Sequence, residues 1–198
     1  SSERATMPLS TSDALFLGNF SDADTDEAVL GAENESVYLG TFGSAGAPLH
    51  EQLVGVTYDD VDSSGAINTD HDNPGVEPIS YDLGGGPVSS EVDSLAVVDL
   101  TVFYTDGTSA AYTNAVMFQD TLGNLFLTNS DFAGTDLNSG YWSQIESVQV
   151  TNVQASDYSG LYQTALQSFV CFVAGTRLLA ASGWVRVEAL RVGDGLMT

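Results

Sequence analysis

LAVVDLTVFYTDGTSAAYTNAVMF, residues 95–118, is the stretch that decides the fold class. In its first half, 95–104, apolar side chains such as Val98 and Leu100 alternate with side chains that are mostly polar, which is the period of a half-buried β-strand. The second half, 109–118, alternates in the same way, and Asp106-Gly107 separates the two. Because glycine adopts positive φ at no steric cost, the pair predicts a β-hairpin with a type I′ turn.

Shorter runs of the same kind flank this hairpin on both sides. They recur between Gly, Asn, Asp and Ser turn signals, and helical periodicity is scarce before residue 155. A second hairpin is expected at 119–124, and the glycine-rich stretch 82–90 is expected to be a loop. The predicted strands are 14–17, 37–42, 53–58, 79–83, 95–104, 109–118, 125–128 and 145–153. This pattern predicts an all-β fold, an antiparallel β-sandwich or jelly-roll-like domain over residues 1–155.

A connector is expected at 156–170. Its apolar residues Leu161, Ala165, Leu166 and Phe169 share one helical face, and Ser156 fits an N-cap. The segment is therefore either a short helix or an extended link. In both forms it joins the β domain to residues 171–198.

Charge divides the chain at the end of this connector. The formal net charge is −23, and Arg4 is the only basic residue before position 171 apart from the two histidines. Residues 171–198 carry three arginines against Glu188 and Asp194, a net +1, which leaves −24 for the body. So acidic a body cannot neutralise phosphates, which excludes nucleic acid as a partner, and it disfavours an anionic membrane surface.

Hydropathy and the cysteine count limit where in or outside the cell the chain is expected to act. No apolar run is long enough for membrane insertion, and one cysteine allows no internal disulfide. No basic, apolar signal sequence precedes the body. We expect an extracellular or cell-surface location reached without a cleavable signal, with cytoplasmic residence as the alternative.

Two acidic stretches have the spacing of calcium ligands. Asp22, Asp24, Asp26 and Glu33 match part of an EF-hand loop, although Glu27 stands where that loop needs glycine. The second stretch carries Asp60 and Asp62, and its candidate closing ligands are Asp70 and Asp72. We predict calcium as a cofactor at Asp60, Asp62, Asp70 and Asp72. The alternative is that the acids are solvated and screened by salt.

Other chemistry has weaker signals. His50 and His71 are expected to lie in surface loops, since neither stands in a triad pattern and no His/Cys set suits zinc. Tyr141 and Trp142 would stack on a sugar or belong to the core. A calcium-dependent adhesin or carbohydrate-binding module, secreted and without catalysis, is therefore the rival to the function that the C-terminal segment suggests.

That segment, CFVAGTRLLAASGWVRVEALRVGDGLMT at 171–198, opens on the only cysteine. Four features occur in order: Cys171-Phe172, Gly175-Thr176, the turn Ser182-Gly183, and VEALRVGD at 187–194. This order resembles the start of a Hint domain, the self-processing module shared by hedgehog proteins, inteins and bacterial secreted proteins. The resemblance covers only the opening β-strands of the module.

The resemblance implies that Cys171 is a nucleophile aimed at the preceding carbonyl, that of Val170. Attack would convert the Val170–Cys171 amide into a thioester, an N-to-S acyl shift that needs no cofactor and releases the N-terminal domain as cargo. This would be single-turnover autoprocessing. The family supplies a Thr-x-x-His segment later in the module, and none is present within residues 172–198. The remainder of the Hint domain is thus the expected partner.

Overall fold

The described part of the chain consists mainly of β-strands. A computed structural model describes residues 9–71, 77–128, 144–158, 160–162, 177–180 and 183–186. The strands are β1 Ser10–Asn19, β2 Gly40–Gly43, β3 Leu53–Tyr58, β4 Ala66–Asn68, β5 Ile79–Asp82, β6 Pro87–Ser90, β7 Val92–Tyr104, β8 Ser109–Asp120, β9 Asn124–Thr128, β10 Ile145–Ala155, β11 Gly160–Tyr162, β12 Arg177–Ala180 and β13 Gly183–Arg186. Two single-turn 3-10 helices, Glu35–Tyr38 and Leu49–Gln52, accompany them. The predicted all-β antiparallel class is confirmed.

Nine strands form one sheet in the order β2-β10-β7-β8-β9-β1-β3-β5-β6, with antiparallel neighbours throughout. The sheet curls on itself. Tyr58 on β3 and Phe118 on β8 are three strand positions apart, about 14 Å along the sheet. Their ring centroids nevertheless lie only 6.5 Å apart. The inner face therefore wraps around a single core, which is consistent with a β-sandwich.

Aromatic rings fill the centre of this core. The ring of Phe126 lies 4.9 Å from Phe118, 5.1 Å from Tyr81 and 5.6 Å from Phe16 between centroids. The two-stranded sheet of β4 and β11 adds the buried side chains of Ile67 and Leu161 to the same cluster. Each such fully buried side chain stabilises the fold by about 1.5–3 kcal/mol.

A buried polar network joins the strands around the core. Asp120 accepts hydrogen bonds from the hydroxyls of Tyr81 and Ser90, the latter at 2.7 Å. Its other oxygen accepts the backbone N–H of Asn124 at 2.8 Å, and the Asn124 amide donates to Tyr81 at 2.7 Å. The network links β5, β6, β8 and β9. Asp120 is 1% exposed, and both of its carboxylate oxygens accept hydrogen bonds, as is usual for a buried acid.

The central hairpin forms as predicted, but its turn does not. In the loop of the β7–β8 pair, Gly107 has φ 84° and Asp106 has no positive φ, so the type I′ prediction is wrong. Gly107 donates its N–H to the Tyr104 carbonyl, and Tyr104 donates to the Thr108 carbonyl, both at 2.9 Å. This pattern is a type I turn followed by a glycine bulge. The Asp106 carboxylate accepts the Thr108 N–H at 2.9 Å and thereby stabilises that loop.

Two other local predictions were only partly right. Of the predicted strand 37–42, residues 40–42 belong to β2, whereas 37 and 38 end the first 3-10 helix, where the buried Tyr38 donates its hydroxyl to Ser94 at 2.7 Å. The predicted loop 82–90 contains β6, which pairs with β5. Pro87 is the first residue of that edge strand, where its missing N–H removes no ladder bond.

The described part of the predicted connector, residues 156–158 and 160–162, contributes to the body, and residues 163–170 lie outside the described ranges. Gly160–Tyr162 is strand β11, so the helical alternative is wrong there. Ser156 caps no helix and donates its hydroxyl to Glu35 at 2.6 Å. None of the helices in the described ranges has the length and apolar character needed to cross a membrane.

Contacts divide the chain into two compact units, Ser1–Ser168 and Phe169–Thr198. In the second unit, β12 and β13 pair antiparallel, with Arg177 opposite Arg186 and Ala180 opposite Gly183. Gly183, which the sequence pattern assigned to a turn together with Ser182, is the first residue of β13.

Candidate cation sites

Three carboxylates meet where the loop between β3 and β4 approaches β5. We call Asp60, Asp62 and Glu77 the Asp60 cluster; one oxygen from each lies within 4.8 Å of the others. Asp60 and Glu77 are 3% and 2% exposed, whereas Asp62 is exposed. The two oxygens of Asp60 accept the N–H groups of Ser64 at 3.0 Å and Gly65 at 2.9 Å. The loop backbone therefore fixes the position of this carboxylate.

Glu77 ties the loop together from the far side. Its carboxylate accepts the N–H groups of Asp62 at 3.2 Å and Asn68 at 2.8 Å. Burial raises the pKa of Glu77, while hydrogen bonds from Ser64 lower the pKa of Asp62. The cluster thus presents oriented carboxylate oxygens, which are the ligands that Ca²⁺ takes in proteins.

The sequence identified part of this cluster. Asp60 and Asp62 lie together as expected, whereas Asp70 lies in a different cluster and Asp72 falls outside the described residues. Glu77 was not predicted, because it lies 15 residues beyond Asp62 and only the folded loop brings it back. The one signal for it was an acid placed beside an apolar strand.

A second group, the Asp93 cluster, consists of Glu27, Asp70 and Asp93. One oxygen from each again lies within 4.8 Å of the other two. Glu27 lies in the loop after β1, Asp70 comes after β4, and Asp93 belongs to β7. Asp70 reaches β7 because its N–H donates to the Val92 carbonyl at 2.9 Å. Three segments distant in sequence therefore converge on one point.

Asp93 is the most buried acid of this cluster, at 6% exposed. Burial raises its pKa to about 8, and the charges of Asp22, Asp70 and Glu27 add to the shift. Partial desolvation also raises the pKa of Asp70 and of Glu27, and the charge of Asp70 adds to the shift at Glu27. The Ser94 hydroxyl is 3.3 Å from Asp93 Oδ2, a long hydrogen bond. At neutral pH this cluster favours a bound proton or a bound cation over three free charges.

The EF-hand-like stretch bonds chiefly to its own backbone. Glu33 accepts the N–H groups of Thr25 at 2.8 Å and Asp26 at 3.2 Å, and Asp22 accepts the N–H of Asp24 at 3.0 Å. These bonds lower the pKa of Glu33. Within the described ranges, the predicted set of Asp22, Asp24, Asp26 and Glu33 does not form a three-acid group.

Neutralising side chains are scarce. The sequence has no lysine or arginine between Arg4 and Arg177. Both histidines are half-buried. His50 lies in the second 3-10 helix, so the surface-loop prediction is wrong for it, and its Nδ1 is 3.2 Å from the Ile145 carbonyl of β10. His71 follows β4 and interacts electrostatically with Glu27. The acids of the body therefore need protons, salt or bound cations.

The predicted cleavage site, Val170 and Cys171, lies outside the described residues, as do Tyr141 and Trp142. No protein-family profile, curated protein or solved structure matches this chain. The geometry of the two clusters and the motif after residue 170 therefore carry the functional argument.

Proposed function

We propose that this chain is an acidic β domain joined to the beginning of a Hint-type autoprocessing module, which cuts the chain between Val170 and Cys171. Two observations support the proposal beyond the motif. The division between the two compact units, at Ser168 and Phe169, lies two residues from the proposed cut. The hairpin of β12 and β13 also lies where the Hint-like pattern requires strands. Domain boundaries fall in segments that few contacts cross, which suits a cut that releases one domain.

The chemistry uses the covalent tether. The thiolate sulfur of Cys171 forms a bond with the carbonyl carbon of Val170, the carbon–nitrogen bond breaks, and the freed amine of Cys171 takes up a proton. Because the sulfur is held next to the carbonyl carbon, proximity lowers the activation barrier by up to about 7–11 kcal/mol when the two are aligned. Water or an added thiol then attacks the thioester, and the sulfur leaves and is protonated.

The test is cleavage of a precursor that carries the whole Hint module. Incubation with a strong thiol should give a product ending at Val170, and Cys171→Ala should abolish it. Ser168→Ala is the matched control, since it alters the junction and leaves the thiol. Cleavage of the alanine variant at the parental rate would refute the mechanism.

The body has a second candidate function, the binding of calcium by the Asp60 cluster. It is favoured by three carboxylate oxygens within 4.8 Å that backbone N–H groups already orient. Bound calcium would neutralise the loop and join it to Glu77. A calcium-dependent adhesin or carbohydrate-binding domain would use the site in this way, and such a domain is compatible with release as cargo.

A comparison of the melting temperature in calcium and in sodium salts tests this second function. Calcium at concentrations in the millimolar range, typical of extracellular sites, should raise the melting temperature, because a ligand that binds only the folded state stabilises it. Sodium at matched ionic strength should raise it much less. Asp60→Asn should remove part of the calcium effect, whereas Glu51→Gln, which removes an exposed charge elsewhere, should not. Equal effects of the two salts would leave only general screening.

A further inference from the structure

The Asp93 cluster shows a second feature besides its three acids. Asp24 is 3% exposed, and its Oδ1 accepts no hydrogen bond within the described part of the chain. Asp24 lies beside the cluster, since its charge interacts with those of Glu27 and Asp70. Asp70 Oδ1 is likewise buried without a donor. Buried carboxylate oxygens without donors are costly unless something else neutralises them.

Within this protein, little else is present to neutralise them. The sequence places no lysine or arginine in residues 5–176. His71 interacts with Glu27, at the exposed side of the cluster. The oxygens that lack donors belong to Asp24 and Asp70. Within the described residues these two oxygens have no donor, so a cation from solution is a partner that fits them.

The distances fit a calcium-sized ion. Ca²⁺ binds oxygen at 2.3–2.6 Å, so two oxygens on one ion lie at most about 5 Å apart. The three carboxylate oxygens of the cluster lie within 4.8 Å of one another. Carboxylates suit hard cations rather than soft transition metals. Asp93 also lines an open surface cleft together with Asp22 and Leu122, which gives an ion a path from solvent.

We propose that Glu27, Asp70 and Asp93, with Asp24 beside them, form a second site for a hard divalent cation of the calcium class. The ion joins the loop after β1 to the end of β4 and to β7. Among the described residues, a backbone hydrogen bond from Asp70 N–H to the Val92 carbonyl, at 2.9 Å, already joins two of these segments. The site is separate from the Asp60 cluster and does not depend on the self-cleavage proposal.

Calcium chloride titration of the chelator-treated full chain by calorimetry tests the site. If both clusters bind, the parent takes up two calcium ions. Asp93→Asn and Glu27→Gln should each weaken one binding event by at least roughly tenfold, since even outer-shell changes around a metal cost that much. Asp60→Asn should weaken the other event and leave this one. Glu51→Gln is the control for loss of an exposed charge.

Glu27 is exposed, so Glu27→Gln should fold normally even if Asp93→Asn does not. Retention of the parental stoichiometry and affinity by Glu27→Gln and Asp93→Asn would overturn the second site. Loss of all binding in Asp60→Asn would overturn it while supporting the Asp60 cluster. Absence of calcium heat in the parent up to about 10 mM, above the usual range of extracellular sites, would overturn both.

Discussion

Replacing Asp93 by asparagine should stabilise the metal-free protein at pH 8 while leaving its stability near pH 4 almost unchanged. The ordinary pKa of the carboxyl is 3.8, and burial raises it to about 8 in the folded state. A group whose folded pKa is raised contributes full stability below pH 4 and loses it as the pH rises through 8. Asparagine carries no charge at any pH and can keep the hydrogen bond to Ser94.

The expected gain in unfolding free energy depends on the pH range between the unfolded and folded pKa values of Asp93. Each pH unit in that window removes at most about 1.4 kcal/mol of stability. Solvent in the cleft beside Asp93 screens the charge, so we expect a total of about 2 kcal/mol rather than the full product. For a chain of this length, that corresponds to a melting temperature about 4–8 °C above the parent's at pH 8.

The assay is thermal unfolding followed by circular dichroism in chelator at pH 4, 6 and 8. The parent should lose stability relative to Asp93→Asn as the pH rises, and Glu51→Gln should behave like the parent. Both proteins should also lose some stability between pH 4 and 6 because of Asp24, whose pKa burial raises to about 6. A variant that melts below the parent at pH 8, or a gap that does not depend on pH, would refute the reasoning.

Other predictions concern the core, the polar network and the turn. Phe126→Ala should destabilise the fold by about 3–5 kcal/mol in urea unfolding, because three neighbouring rings would face a cavity; a loss under 1 kcal/mol would mean that the core collapses freely. Tyr81→Phe removes a donor from the buried Asp120 and should cost about 1–3 kcal/mol by the same measurement, whereas Tyr112→Phe, on the half-buried part of β8, should cost less. Gly107→Ala should cost about 1 kcal/mol or more because φ is 84° there, and an unchanged melting temperature would contradict the observed turn.

The sequence predicts the strands well where alternation is long. Val98, Leu100 and Val102 are buried on β7 and alternate with less buried neighbours, as the pattern indicated. The sequence could not fix the turn, because Asp-Gly also suits a type I turn with a bulge. It also missed β6, since glycines and a proline before an edge strand look the same as a loop.

The clusters could be predicted only in part, for a topological reason. Asp60 and Asp62 are neighbours in sequence, so their spacing was informative. Glu77 joins them from beyond a loop, and Glu27, Asp70 and Asp93 come from three separate elements. Their convergence depends on how β4 meets β7, which spacing along the chain does not encode.

The most direct test of the proposed function is the chemical form of the released body when hydroxylamine replaces the thiol. A thioester at Val170 is captured by this nucleophile, so intact-mass spectrometry should show residues 1–170 ending in a hydroxamate. A body that ends at another residue, or that carries a plain carboxylate in excess hydroxylamine, would contradict attack by the Cys171 sulfur.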